Sequence, residues 1–253
     1  MAEHESILYS LFSTLQFPKE AYLHKRITKK MFLETVSLGS GDKKLFRENV
    51  KNVYWEYTLK PSTCPVLPFK DNEREYLEVA ILEIELASQK GHKRIAEIIH
   101  RVIPYPLMLG FYDGTDEFSL SIAPKRFSQA EQGAFVVERF FTTGWMSNDR
   151  LNEWEAAFVA SLAWTSMPLQ NYGILYNAWV DRFTGYECSV LSGTFAIGKA
   201  GDQFKHLARC REIESRTSEL RGLLKKEAFN RQVELNTEIK KLEQELKQLA
   251  ASL

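Results

Sequence analysis

The chain has 253 residues, 44% of them hydrophobic and 12% aromatic, enough for one large core or for one core with an appendage. Lys and Arg number 33, as do Asp and Glu, so the formal net charge is zero and any attraction to nucleic acid or an acidic membrane has to be local. The three cysteines, Cys64, Cys188 and Cys210, show no CxxC spacing, which argues for free thiols in a reducing compartment and against a zinc cluster.

The opening MAEHESILYSLF is acidic where a secretory signal would be basic. No stretch reaches the roughly 18 uncharged apolar residues of a membrane span, so no membrane partner is expected and the expected location is cytoplasmic. Ile7, Leu8, Leu11, Phe12 and Leu15 recur at helical spacing and predict a helix within residues 3–17, stopped by Phe17-Pro18. LHKRITKK follows at 23–30, with four basic residues in eight. Lys25, Arg26, Lys29 and Lys30 are therefore candidates for contact with nucleic acid or a partner, since clustered cations release counterions from phosphates. A solvated surface is the plainer account of the same residues.

DKKLFRENV at 42–50 reads as a short helix capped by Asp42. In VYWEYTLK, Val53, Trp55, Tyr57 and Leu59 alternate with Tyr54, Glu56 and Thr58, the pattern of a strand with one face more buried. PSTCPVLPF holds three prolines in nine residues and reads as a loop.

YLEVAILEIELA at 76–87 predicts a buried strand. RIAEIIHRVI at 94–103 then lines up Ile95, Ile98, Ile99, Val102 and Ile103 on one helical stripe, and YPLMLGFYD at 105–113 predicts another strand. Strand, helix and strand in this order form a βαβ unit with parallel strands. Pro104 ends the helix, and Pro106 holds Tyr105 extended on entry to the strand. Asp113-Gly114 marks a turn, FSLSIAP at 118–124 a return strand, and GAFVVERFFTTGW at 133–145 one strand more.

From about residue 149 helices take over, with Leu151, Trp154, Phe158 and Leu162, then Leu175, Trp179 and Phe183, at helical spacing. The expected class is α+β: a mixed sheet with one βαβ unit in the first half, and helices in the second. The expected division is an α+β domain over residues 1–200 and a helical extension over 201–253. In that extension Leu235, Ile239, Leu242, Leu246, Leu249 and Leu253 form a short coiled-coil seam. The register fails upstream, where Gln232, Lys225 and Arg221 occupy the seam positions, so a break is expected near 225–234. Glu238 and Glu245 fall at g and Glu243 at e. Self-pairing would set carboxylate against carboxylate, so either a partner with basic edge positions or the chain's own second half is the expected mate.

No nucleophile elbow, phosphate loop, dinucleotide fingerprint or HExxH is present, and GTFAIGKAGD at 193–202 reads as a flexible connection. No cofactor is expected on the main reading. Glu83 and Glu85 lie two apart on a strand, hence on one face, where two carboxylates would share a divalent metal. Nucleases with the PD-(D/E)xK core place such carboxylates on a strand followed by a helix. Glu83-Ile84-Glu85 would imitate their ExK element, with Asp71 or Asp113 as the other acid and magnesium or manganese as cofactor, although the lysine is absent. His92 and His100, eight apart, are expected to be surface or hydrogen-bonded residues rather than ligands, and Trp145, Trp154, Trp164 and Trp179 to be core, with stacking of a few on a base or a partner side chain as the alternative.

LHKRITKKMFLE, DKKLFRENVKNVYWEYTLKP, EYLEVAILEIELA and AEIIHRVIPYPLMLGF together resemble the bacterial domain-of-unknown-function family catalogued as forty-three ninety-one. The resemblance implies genomic company with helicases and DNA methyltransferases in restriction or phage-defence loci. The expectation is thus a non-catalytic accessory subunit of such an assembly, holding a helicase or methyltransferase through its terminal helix and nucleic acid through the basic patch; the metal-dependent nuclease is the alternative.

Overall fold

A computed structural model of the chain describes residues 7–35, 38–128, 134–198, 200–224 and 229–250. They divide into two compact units, Met1–Phe183 and Thr184–Leu253. The first runs through α1 (Ile7–Leu15), a 3-10 turn (Lys19–Ala21), β1 (Tyr22–Ile27), α2 (Lys29–Thr35), α3 (Ser40–Asn49), β2 (Val50–Leu59), β3 (Phe69–Lys70), β4 (Glu75–Tyr76) and β5 (Val79–Leu86). It continues with α4 (His92–Val102), β6 (Leu107–Tyr112), β7 (Glu117–Ile122), β8 (Lys125–Phe127), β9 (Phe135–Val137), β10 (Phe141–Thr142), β11 (Met146–Ser147), α5 (Glu153–Ser161) and the start of α6 (Tyr172–Ser192). The class is α+β, as the sequence predicts.

The main sheet has the order β1-β2-β5-β6-β7-β10, with β11 also paired to β7. β5 and β6 are parallel, Ala80 standing opposite Leu107 and Glu85 opposite Tyr112, and α4 makes the connection. The βαβ unit is therefore present where the periodicity put it. On α4, Ile95, Ile98, Ile99 and Val102 bury against Leu82, Ile84, Leu109 and Phe111, with Phe32 and Phe46 of α2 and α3 closing the layer. Each such side chain contributes about 1.5–3 kcal/mol when fully buried. The opposite face is covered in part by α1, whose Leu8, Leu11, Phe12 and Leu15 are buried. Gly110 allows that approach: a Cβ there would stand 3.0 Å from both Leu8 Cδ2 and Phe12 Cζ.

Three expectations need correction. Asp42 does not cap α3; Gly39 does, and Asp42 instead binds Arg94, at 2.9 and 2.6 Å to Nε and Nη2. The alternation in β2 is broken by a bulge: Trp55 stands opposite Leu82 and Tyr57 opposite Ile81, so Glu56 is an extra residue in the strand. Val53, Glu56 and Leu59 are buried there, and Trp55 and Tyr57 only half so. The single strand expected over 133–145 is three short pieces, β9, β10 and β11; residue 133 lies outside the described residues, as do residues 3–6 of the first expected helix.

The Pro104-Pro106 junction is a corner of the βαβ unit. The ammonium of Lys125, 1% exposed, donates to the carbonyls of Ile103 and Tyr105, the residues that precede the two prolines. The end of a helix leaves carbonyls without partners, and Lys125 supplies the donor.

The second unit holds the rest of α6, α7 (Ala200–Leu224) and α8 (Phe229–Ala250). Leu220 of α7 and Leu235 and Ile239 of α8 form a buried cluster, with Leu224 and Leu242 packed on it. Arg209 pairs with Glu245 at 2.8 Å, Arg216 with Glu238 at 3.3 Å and Arg221 with Glu243 at 2.6 Å. The basic edge that the glutamates call for is thus the chain's own α7. Leu246 and Leu249 are half-buried. Leu253 and residues 225–228, part of the 225–234 stretch in which a break is expected, lie outside the described residues.

Candidate functional site

The sheet face turned away from α4 collects the polar side chains. Across the strands Arg26 stands opposite Tyr54, Tyr54 opposite Glu83 and Glu83 opposite Gly110; one pair along, Asn52 stands opposite Glu85 and Glu85 opposite Tyr112. Glu83 and Glu85 do share this face, as their spacing requires. Arg26 Nη2 donates to Asn52 Oδ1 at 2.7 Å, and Asn52 Nδ2 to Glu85 Oε2 at 2.7 Å. Lys51, displaced by a second register shift in β2, places Nζ 3.3 Å from Glu85 Oε1. Glu83 is buried beside Tyr112, whose phenol is pushed well up by burial first and then by the two carboxylates. At neutral pH that phenol stays protonated and donates to Glu83.

The two further acids considered for a metal site go elsewhere. Asp71 Oδ1 accepts from the backbone N–H groups of Glu73 and Arg74, at 2.8 and 2.6 Å, in the β3–β4 turn. Asp113 Oδ1 accepts from Thr115 in the β6–β7 turn. Among the described residues no three His, Cys, Asp or Glu side chains are grouped to hold a metal ion. Glu83 and Glu85 are hard oxygen donors of the kind magnesium takes, but Asn52 and Lys51 already engage Glu85 and Tyr112 engages Glu83.

The basic stretch is split by its structure. Lys25 and Arg26 lie exposed on β1, the edge strand. Lys29 is turned inward, donating to the carbonyls of Arg47 at 3.2 Å and Val50 at 2.7 Å where α3 passes into β2. Lys30 is exposed and faces Glu34 at 3.7 Å.

Just before Lys25 on β1 sits a residue that the sequence pattern did not single out. His24 adopts φ 45, uncommon for a residue with a side chain, and its ring stacks on Tyr54 (5.0 Å, 3°) and on Tyr22 (5.9 Å, 19°). Its Nδ1 hydrogen-bonds Glu56 Oε1 at 2.8 Å. Burial raises the Glu56 carboxyl above its usual range, an effect the His24 contact opposes. A carboxylate inside an otherwise aromatic strand, VYWEYT, was the available signal; its partner stands 32 positions away in sequence, so only the fold joins them.

His92 and His100 are not on the surface; both are buried and hydrogen-bonded. His92 Nδ1 lies 3.1 Å from the Gln89 carbonyl and 3.2 Å from the Trp145 indole nitrogen, and its Nε2 lies 3.4 Å from the Thr143 carbonyl. His100 Nε2 shares a hydrogen bond of 3.1 Å with Ser121 Oγ, its Nδ1 has no partner, and burial followed by the nearby Lys125 holds its pKa well below the ordinary value. Of the four tryptophans expected in the core, Trp179 is fully buried; Trp145, Trp154 and Trp164 are half-buried.

Fold and face together define an α+β protein with a mixed sheet, one apolar face under α4 and one partly polar face bordered by a basic edge strand. The chain belongs to the family described as Domain of unknown function (DUF4391), whose model matches residues 15–246. No curated protein and no solved structure matches it. No helix among the described residues is long and apolar enough to cross a membrane.

Proposed function

We propose that the chain is a cytoplasmic, non-catalytic accessory subunit of a bacterial DNA-restriction or phage-defence assembly, and that it meets nucleic acid along β1. The observation that supports this most directly is the juxtaposition of exposed Lys25 and Arg26 with the partly exposed rings of Tyr22 and His24 on one edge strand. Arg26 hydrogen-bonds a neutral amide, so its charge remains available to a phosphate. With zero net charge overall, attraction has to come from such a local group. The protein partner, a helicase or DNA methyltransferase, would be met by the outer surface of the α7–α8 pair, where Leu223 and Val233 are exposed, because Leu235 and Ile239 are already packed.

The test is anisotropy of labelled DNA against salt. Lys25→Ala with Arg26→Ala removes two phosphate contacts and flattens the log–log salt slope by about 2. An unchanged slope removes the nucleic-acid arm. A pull-down from the native operon that recovers neither a helicase nor a methyltransferase removes the assembly arm.

A second reading, a magnesium- or manganese-dependent nuclease, draws on the pair Glu83 and Glu85 on a strand followed by α4, with the cation of Lys51 3.3 Å from Glu85. Metal-dependent plasmid cleavage abolished by Glu83→Ala would replace the first reading with this one.

A further inference from the structure

A cavity of about 550 Å³ opens beside β1, where α1 ends and the strand begins. Its size falls in the range of about 300–1,000 Å³ typical of small-molecule sites. Five aromatic rings line it: Tyr9, Phe12, Phe17, Tyr22 and Tyr57. Phe12, Phe17 and Tyr22 each meet the Tyr57 ring, at 6.1, 5.2 and 5.4 Å between centroids, so the wall is an interlocked aromatic surface. Gln16 and Lys19 bring an amide and an ammonium to the same cavity.

Three features point to one kind of occupant. Tyr9 and Tyr22 are 50% and 46% exposed, so two large rings of this surface stand in water while the rings behind them are packed. Tyr22 is also the first member of the Tyr22–His24–Tyr54 stack, whose nearly parallel planes lead away from the cavity along the sheet. The charged side chain of the lining is a cation, Lys19, and the exposed cations Lys25 and Arg26 follow on the same strand. Flat aromatic walls, a polar amide and a cationic border are what a base with its attached phosphate requires.

We propose that the cavity takes a base of single-stranded nucleic acid, stacked on Tyr22, with its phosphate at Lys19 and the strand continuing past Lys25 and Arg26. The inference rests on the nucleic-acid arm of the function proposed above and adds strand type and mode of reading. The edge cations alone would hold duplex and single strand alike; the cavity admits only a base that has left its stack.

The experiment uses the full chain, an oligothymidylate carrying one central 2-aminopurine, and the corresponding duplex. The expected result is tighter binding of the single strand, a change in 2-aminopurine emission on binding, and a loss of about tenfold in single-strand affinity in Tyr22→Ala, larger than its loss in duplex affinity. Thermal melting of the variant checks that the fold persists, and Lys19→Gln gives a second, smaller loss. Equal affinity for both forms, undiminished in Tyr22→Ala, would overturn the base site and leave the basic edge standing. Binding of neither form overturns both proposals. Binding of N-acetyl-tyrosinamide without binding of the oligonucleotide would assign the cavity to a peptide side chain and likewise overturn it.

Discussion

The side chain of Lys125 reaches the backbone carbonyl of Tyr105 from inside the protein, with Ile103 O as its second acceptor. No carboxylate takes part in either contact. Burial pushes the ammonium down to about 7. Its ordinary value is about 10.4, so between those limits the unfolded chain binds a proton that the folded chain does not. Folding stability therefore rises as pH increases from about 7 towards 10. In Lys125→Met the two carbonyls lose their donor, at about 1–3 kcal/mol for each unsatisfied group, partly offset by the removal of a buried charge. Urea denaturation at pH 7 and pH 9 should show the wild type gaining stability and the variant not. Parallel behaviour of the two proteins would mean that Lys125 reaches water.

At the acid end two histidines act. His92 and His100 are both held below 6.5, chiefly by burial, and so remain neutral in the folded protein where the unfolded chain is protonated. Stability should fall as pH drops below about 6.5, and fall less steeply in His100→Gln. Equal midpoint shifts in the two proteins between pH 7 and pH 5 would remove His100 from the account.

Gly110→Ala tests the approach of α1 to β6. The added methyl would meet Leu8 and Phe12 at 3.0 Å, closer than ordinary van der Waals contact. A loss of about 1–3 kcal/mol is expected, measured by chemical denaturation. Thermal stability equal to wild type would mean that α1 shifts without cost.

The pairing of α7 with α8 makes a charge-swap prediction. Arg216→Glu should destabilise the pair of helices by about 0.2–1 kcal/mol through repulsion from Glu238, and adding Glu238→Arg should restore it. The effect should shrink in high salt. A double variant no better than the single would remove this ion pair as a contributor.

The parts of the fold that were legible follow a regular period over many residues. The stripe of α4 and the unbroken apolar run of β5 could be read because every turn or pleat repeats the same requirement. The bulge at Glu56 could not, since one inserted residue leaves no mark in composition yet changes which side chains are buried. The mate of α8 was legible only as a charge, an edge rich in cations. Its apolar stripe on α7, Leu207, Cys210, Ile213, Thr217 and Leu220, is buried but includes a thiol and a hydroxyl, which hides the heptad. At the candidate site Glu83 and Glu85 followed from strand alternation, whereas His24 and Glu56 meet through pairing of β1 with β2 and a left-handed backbone, neither of which the local sequence announces.

The joining of α7 to α8 also bears on exchange between copies. Four residues separate Leu224 from Phe229, so the two helices meet as parts of one molecule at an effective concentration in the range of millimolar for a short tether. A foreign helix would have to outcompete that tether to reach Leu235 and Ile239. The α7 of a second copy would face the same competition, so the closed α7–α8 contact leaves the outer surface of the pair as the part open to a partner.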